Sequence, residues 1–77
     1  MEVIVGRTYR HFKGALCKVI CLARHSETEE TLVVYTHGND FWARPIEMFT
    51  SLVDKEKYPN IKQNYRFELV DDNVNAS

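Results

Sequence analysis

Apolar and polar residues alternate with a period of two along most of this chain, which marks strands rather than helices. Residues 16–24 are the clearest case: Cys17, Val19, Cys21 and Ala23 form one apolar side, with Lys18 and Arg24 on the other. Residues 7–12 are a shorter candidate strand, closed by Lys13-Gly14. Residues 31–36 are rich in β-branched and aromatic side chains, and residues 41–44 are the returning strand after Gly38-Asn39. A glycine there accepts the positive φ that tight hairpin turns demand. Pro45 suits the first position of a short helix, where its missing N–H costs nothing, and Ile46, Phe49 and Val53 recur at helical spacing. A polar loop over 54–64 leads to a last strand over 65–70, and residues 71–77 read as a frayed tail.

This pattern predicts one domain over residues 1–70, mainly β. The expected fold is a small SH3-like, partly open antiparallel barrel of about five strands, with one short helix before the last strand. Closure removes exposed strand edges, a particular need in so small a sheet. The alternative is a flatter sheet covered by one helix. With Gly38 and Asn39 at the turn, His37 faces Asp40, Tyr35 faces Trp42 and Val33 faces Arg44. One side of the hairpin then carries Leu32, Val34, Thr36, Phe41 and Ala43, and reads as core. The other carries Val33, Tyr35, His37, Asp40, Trp42 and Arg44. A one-residue slip would exchange the two sides.

Size narrows the function classes. At 77 residues the chain cannot form a kinase, a barrel enzyme or a doubly wound dehydrogenase, which need well over ~200 residues. A net charge of -1 and a pI near 6.3 remove the simple case for a polybasic nucleic-acid binder. The charge is nonetheless uneven. Arg7, Arg10, Lys13, Lys18 and Arg24 lie in the first third, whereas residues 26–54 hold six acids against a single Arg44. Two cysteines, no basic-then-apolar leader and no run of ~20 apolar residues point to a cytoplasmic protein with reduced thiols and no membrane contact.

No constellation in the chain supports catalysis. Arg24-His25 invites comparison with the Arg-His-Gly segment of histidine phosphatases, but the glycine is missing and the chain is too small to supply the remaining phosphate-holding groups. Cys17 and Cys21 on one strand lie about 13 Å apart, too far to share a zinc ion. Both read as buried, inert thiols. Gly6, Gly14 and Gly38 are scattered and form no phosphate loop. No catalytic residue, metal ligand or cofactor is assigned. The residues that stand out are Tyr9, His11, Arg24, His25, Tyr35, Trp42 and Arg44. Aromatic faces and forked guanidinium groups give contact area at little rotamer cost, which suits them to stacking a base or gripping a peptide.

Several segments together resemble one family. Tyr9-Arg10-His11-Phe12-Lys13-Gly14 is followed by Ala23-Arg24-His25-Ser26-Glu27-Thr28 and then by Val33-Val34-Tyr35. Trp42-Ala43-Arg44-Pro45, Glu47-Met48-Phe49 and Arg66-Phe67 come after these. That order is similar to the domain of unknown function 1653, a family of small bacterial proteins, over residues 6–69. The resemblance implies a small SH3-like β domain and carries no established activity. Cys17 stands where that family usually has an aromatic residue, Ala43 where it commonly has Val, and the segment between Tyr35 and Trp42 is shorter than usual.

The expected function is a small binding module that presents its aromatic and arginine surface to a peptide, a nucleic acid or a small ligand. Two other readings are kept: a small enzyme or enzyme accessory using His11 or His25 as a general base, and a self-association domain that forms a homodimer.

Overall fold

The computed structural model describes residues 2–70. Five strands, β1 (Thr8–His11), β2 (Leu16–Arg24), β3 (Thr31–His37), β4 (Asp40–Pro45) and β5 (Phe67–Leu69), form one sheet in the order β4-β3-β2-β1-β5, with helix α1 (Ile46–Phe49) before the last strand. Every pairing is antiparallel. The mainly β, five-stranded arrangement with one short helix is the one the sequence predicts. The sheet is not closed into a barrel, since β4 and β5 are the two ends of the strand order. The expected tail over 71–77 lies outside the described residues.

The hairpin register is also the predicted one: His37 faces Asp40, Tyr35 faces Trp42 and Val33 faces Arg44. Gly38 takes a φ of 65°, the conformation that a two-residue turn needs at its first central position. The assignment of the two faces is corrected. The core side is the one with Val33 and Tyr35, joined by Tyr9, Cys17, Val19, Phe49 and Phe67. Phe41, expected inside, is 70% exposed, and Ala43 is exposed. Both faces of the hairpin are apolar enough to serve as core. The choice falls to whichever face meets α1 and β5, and those elements bring Phe49 and Phe67 to the Val33 side.

The other correction concerns β2. Val19 faces Tyr35 but Cys21 faces Val34, so Ile20 is an extra residue in the ladder. A bulge of this kind shifts the alternation by one. Cys17 and Val19 therefore point to the core, whereas Cys21, expected beside them, is exposed on the opposite side.

Pro45 ends β4 and caps α1 rather than forming its first turn. The helix is held by a hydroxyl at its far end: Thr50 Oγ1 donates to the Ile46 carbonyl at 2.8 Å. Its purpose in the packing is to deliver Phe49, which is fully buried. Phe49 stacks on Phe67 at 4.1 Å between centroids and 7° between planes. Tyr9 meets it edge-on at 5.4 Å. The segment before β5 is anchored through its backbone, with Gln63 Nε2 donating to the Arg10 and Tyr65 carbonyls at 2.9 Å each.

Phe49→Ala or Phe67→Ala is expected to cost about 3–5 kcal/mol, the range for emptying a buried aromatic site. Phe41→Ser, on the exposed face, should stay within about 0.5 kcal/mol of the parent. Urea unfolding of the three variants measures the order; a reversed order would make the Phe41 side the core.

Candidate functional site

The concave side of the sheet is not filled along its whole length. At the end where the β3–β4 turn, the start of β2 and β5 come together, a cavity of ≈ 340 Å³ opens. β3 and β4 supply Tyr35, His37, Trp42 and Arg44; β1 and the turn after it supply His11, Lys13 and Ala15; Cys17 comes from β2 and Phe67 from β5. The strand pairings explain this convergence. Tyr35 sits opposite both Val19 and Trp42, and His11 sits opposite Phe67, so all of these side chains project to one side.

The floor is aromatic and the rim is basic. Tyr35 is only 7% exposed, its ring being packed 5.7 Å from Phe49 and 5.8 Å from Phe67. Arg44 reaches across from β4 and lies 5.4 Å above the Phe67 ring. This contact spans the open side of the sheet between its two end strands. Trp42 is 49% exposed, and among the described residues it takes part in no ring–ring contact. No carboxylate lines the cavity.

His11 is held in one orientation. Its Nδ1 accepts the Lys13 backbone N–H at 3.1 Å, which puts the proton of the neutral ring on Nε2. Its ring meets Phe12 at 4.5 Å and Phe67 edge-on at 5.0 Å. Burial pushes its pKa below the ordinary 6.5, and the positive charges of Arg44, Lys13 and Arg66 push it further the same way. His11 is therefore neutral near pH 7 and offers an N–H. Cys17 is buried against Tyr9 across the β1–β2 pair. Loss of solvation raises its thiol to about 11, against a partial opposing pull from Arg44.

Of the seven residues that stand out in the sequence, four meet at this cavity: His11, Tyr35, Trp42 and Arg44. Tyr9 does not. It is 1% exposed, and its hydroxyl accepts the Ile4 N–H at 2.9 Å, tying the N-terminal segment to the core. Arg24 and His25 lie elsewhere. Arg24 pairs with Thr31, at the far end of β3, about 13 Å along the strand from Tyr35. The His25 Nδ1 accepts the Glu27 and Thr28 backbone N–H groups at 3.1 and 3.3 Å, so that ring shapes its own turn. Lys13, Ala15, Cys17, His37 and Phe67 also line the cavity, and sequence reasoning assigns none of them to a site. His37 is within reach of the hairpin register, which puts it on the Tyr35 side. Phe67 is not, because nothing local in the sequence specifies the β1–β5 pairing.

Two measurements check these environments. Between the ordinary histidine value and the lower folded one, the unfolded chain binds more protons at His11 than the folded protein does. Stability should therefore fall as pH drops below 6.5. Urea melts from about pH 7.5 to about pH 5.5 should show this loss, and His11→Gln should reduce it. A thiol reagent at neutral pH should modify Cys21 in the native protein and reach Cys17 only on unfolding. Equal native rates at the two thiols would contradict the bulge at Ile20.

The family model described as Protein of unknown function (DUF1653) matches residues 7–69. The chain belongs to that family. No curated protein and no solved structure matches it.

Proposed function

We propose that this member of the DUF1653 family is a binding module whose recognition surface is the cavity between His11 and Trp42, and that its ligand joins a flat apolar group to negative charge. One observation carries the reading: an aromatic floor and a rim holding Lys13 and Arg44 enclose ≈ 340 Å³ with no carboxylate among the lining residues. That volume lies at the lower end of small-molecule sites, so it suits a small ligand or a single end group of a larger one. A half-exposed indole without a ring partner is a platform for stacking, and a cation beside it favours an anion. Since the whole chain carries a net charge of -1, the positive character is local to the cavity.

The orientation of His11 favours binding over base catalysis. A general base needs a free lone pair facing its substrate, and the Nδ1 lone pair of His11 is engaged by Lys13. What remains is a hydrogen-bond donor. In this reading the protein works in the cytoplasm, in keeping with two free cysteines; among the described residues no helix is long and apolar enough to cross a membrane.

A different observation favours self-association as a second reading. Phe41 is 70% exposed on the convex face and lies on β4, whose outer edge has no strand partner in the sheet. Sedimentation velocity that finds only monomer over a wide concentration range would remove it.

The binding reading is tested with aromatic carboxylates, sulfonates and phosphates, followed by amide chemical shifts and by fluorescence of Trp42, the only tryptophan. At least one class should give a saturable change centred on Lys13, His37, Trp42 and Arg44. Lys13→Ala with Arg44→Ala should weaken it by about tenfold or more, that is by about 1.4 kcal/mol, while urea melts show the fold retained. If no aromatic anion of any class perturbs these residues saturably, the cavity is not a binding site for such ligands.

A further inference from the structure

A second depression adjoins the first. It encloses ≈ 320 Å³, and His11 and Lys13 belong to the walls of both. Its character differs. Lys13, Lys57 and Arg66 bring three cations to it, and Asp54 is the one acid among its lining residues. Asp54 is already engaged by its own loop, where its Oδ1 accepts the Glu56 and Lys57 backbone N–H groups at 3.0 and 3.3 Å. The two ammonium groups gather on one ring, Lys13 Nζ at 5.5 Å and Lys57 Nζ at 5.7 Å from the centroid of Tyr58. Three cations thus stand against one carboxylate in this depression, an excess of positive charge. A phosphate, with its several acceptor oxygens and up to two charges, is the group that such a set satisfies best.

The two depressions are joined by a line of rings. Phe67 in the first lies 5.0 Å from His11, and His11 lies 4.5 Å from Phe12 in the second. The His11 ring and the Lys13 side chain are therefore the boundary between the aromatic floor of one and the cationic wall of the other. Building on the reading of the first cavity as a site for a flat anionic ligand, we infer that the ligand is a nucleotide. Its base stacks on Trp42, and its phosphate sits among Lys13, Lys57 and Arg66. The nucleotide comes either as a free monophosphate or as the 5′-phosphorylated end of a single strand, since both present the same base, sugar and phosphate.

The experiment titrates the protein with adenosine 5′-monophosphate, uridine 5′-monophosphate, adenosine, ribose 5-phosphate and a 5′-phosphorylated pentanucleotide, with Trp42 fluorescence as the readout. The monophosphates should quench it saturably and bind about tenfold or more tightly than adenosine or ribose 5-phosphate. Lys57→Gln and Arg66→Gln, each checked by thermal melting, should lower the affinity for the monophosphate towards that for adenosine and leave adenosine unaffected. Tighter binding of the pentanucleotide than of the monophosphates identifies a strand end as the source; equal or weaker binding identifies the free nucleotide. The inference is overturned if the phosphate adds nothing to the affinity of adenosine, or if both variants bind monophosphate as the parent does. Aromatic carboxylates or sulfonates that bind while nucleotides do not would overturn this inference alone, whereas failure of every aromatic anion would remove the binding reading as well.

Discussion

The stack of Phe49 on Phe67 is the contact on which the rest of the molecule depends. Five strands of three to nine residues bury too little on their own to order a chain of this size. Without a hydrogen-bonded seam between β4 and β5, something other than backbone must bring the ends of the sheet together. Two rings nearly parallel at 7° and 4.1 Å apart do so by joining the helix to the last strand. Tyr9 and Tyr35 then pack around the stack from the middle of the sheet. The same geometry lets Arg44 on one end strand rest over Phe67 on the other, so that a cation and a ring complete the curvature left open by the ladder.

It follows that the cavity and the core are not separate structures. Tyr35 and Phe67 are core residues on one side and cavity floor on the other. Their rigidity comes from packing that exists for stability, and a bound group would meet a surface that is already formed. Trp42 is different. It belongs to the same face as Tyr35 by register but has no ring contact with Phe49 or Phe67 among the described residues, and an open cavity of ≈ 340 Å³ lies beside it. An aromatic side chain of that size left half in water, next to cations without acids, is the clearest departure from what folding alone would ask of these residues.

Much of this is legible in the sequence. The Gly38-Asn39 turn sets the β3–β4 register, and with it the grouping of Tyr35, His37, Trp42 and Arg44 on one side. The helix is signalled by Pro45 and the spacing of Ile46 and Phe49. Which side faces inward is not legible, because Leu32, Val34 and Phe41 are as apolar as Val33, Tyr35 and Trp42; the decision rests on α1 and β5, which are distant in sequence. The bulge at Ile20 gives no sign either, since no glycine or other irregular residue marks it, and simple alternation then groups Cys21 with Cys17. Arg24-His25 draws attention as a motif, yet the pair sits at the far end of β3 from the cavity. Tyr9 stands among the residues expected at the recognition surface, yet it is 1% exposed and its hydroxyl accepts the Ile4 backbone N–H.

The bulge means that β2 is written in two frames. Up to Val19 the odd-numbered positions share the side of Val33 and Tyr35; from Cys21 onwards the even-numbered ones do, beginning with Leu22 opposite Val33, although Leu22 is itself 44% exposed. A single-residue deletion in this strand would merge the frames and turn one half of it inside out, whereas the same deletion in the polar loop over 54–64 would leave every strand facing as before. Natural variation in length among related chains should accordingly be tolerated in that loop and excluded from β2, even though the outer half of β2 is largely exposed.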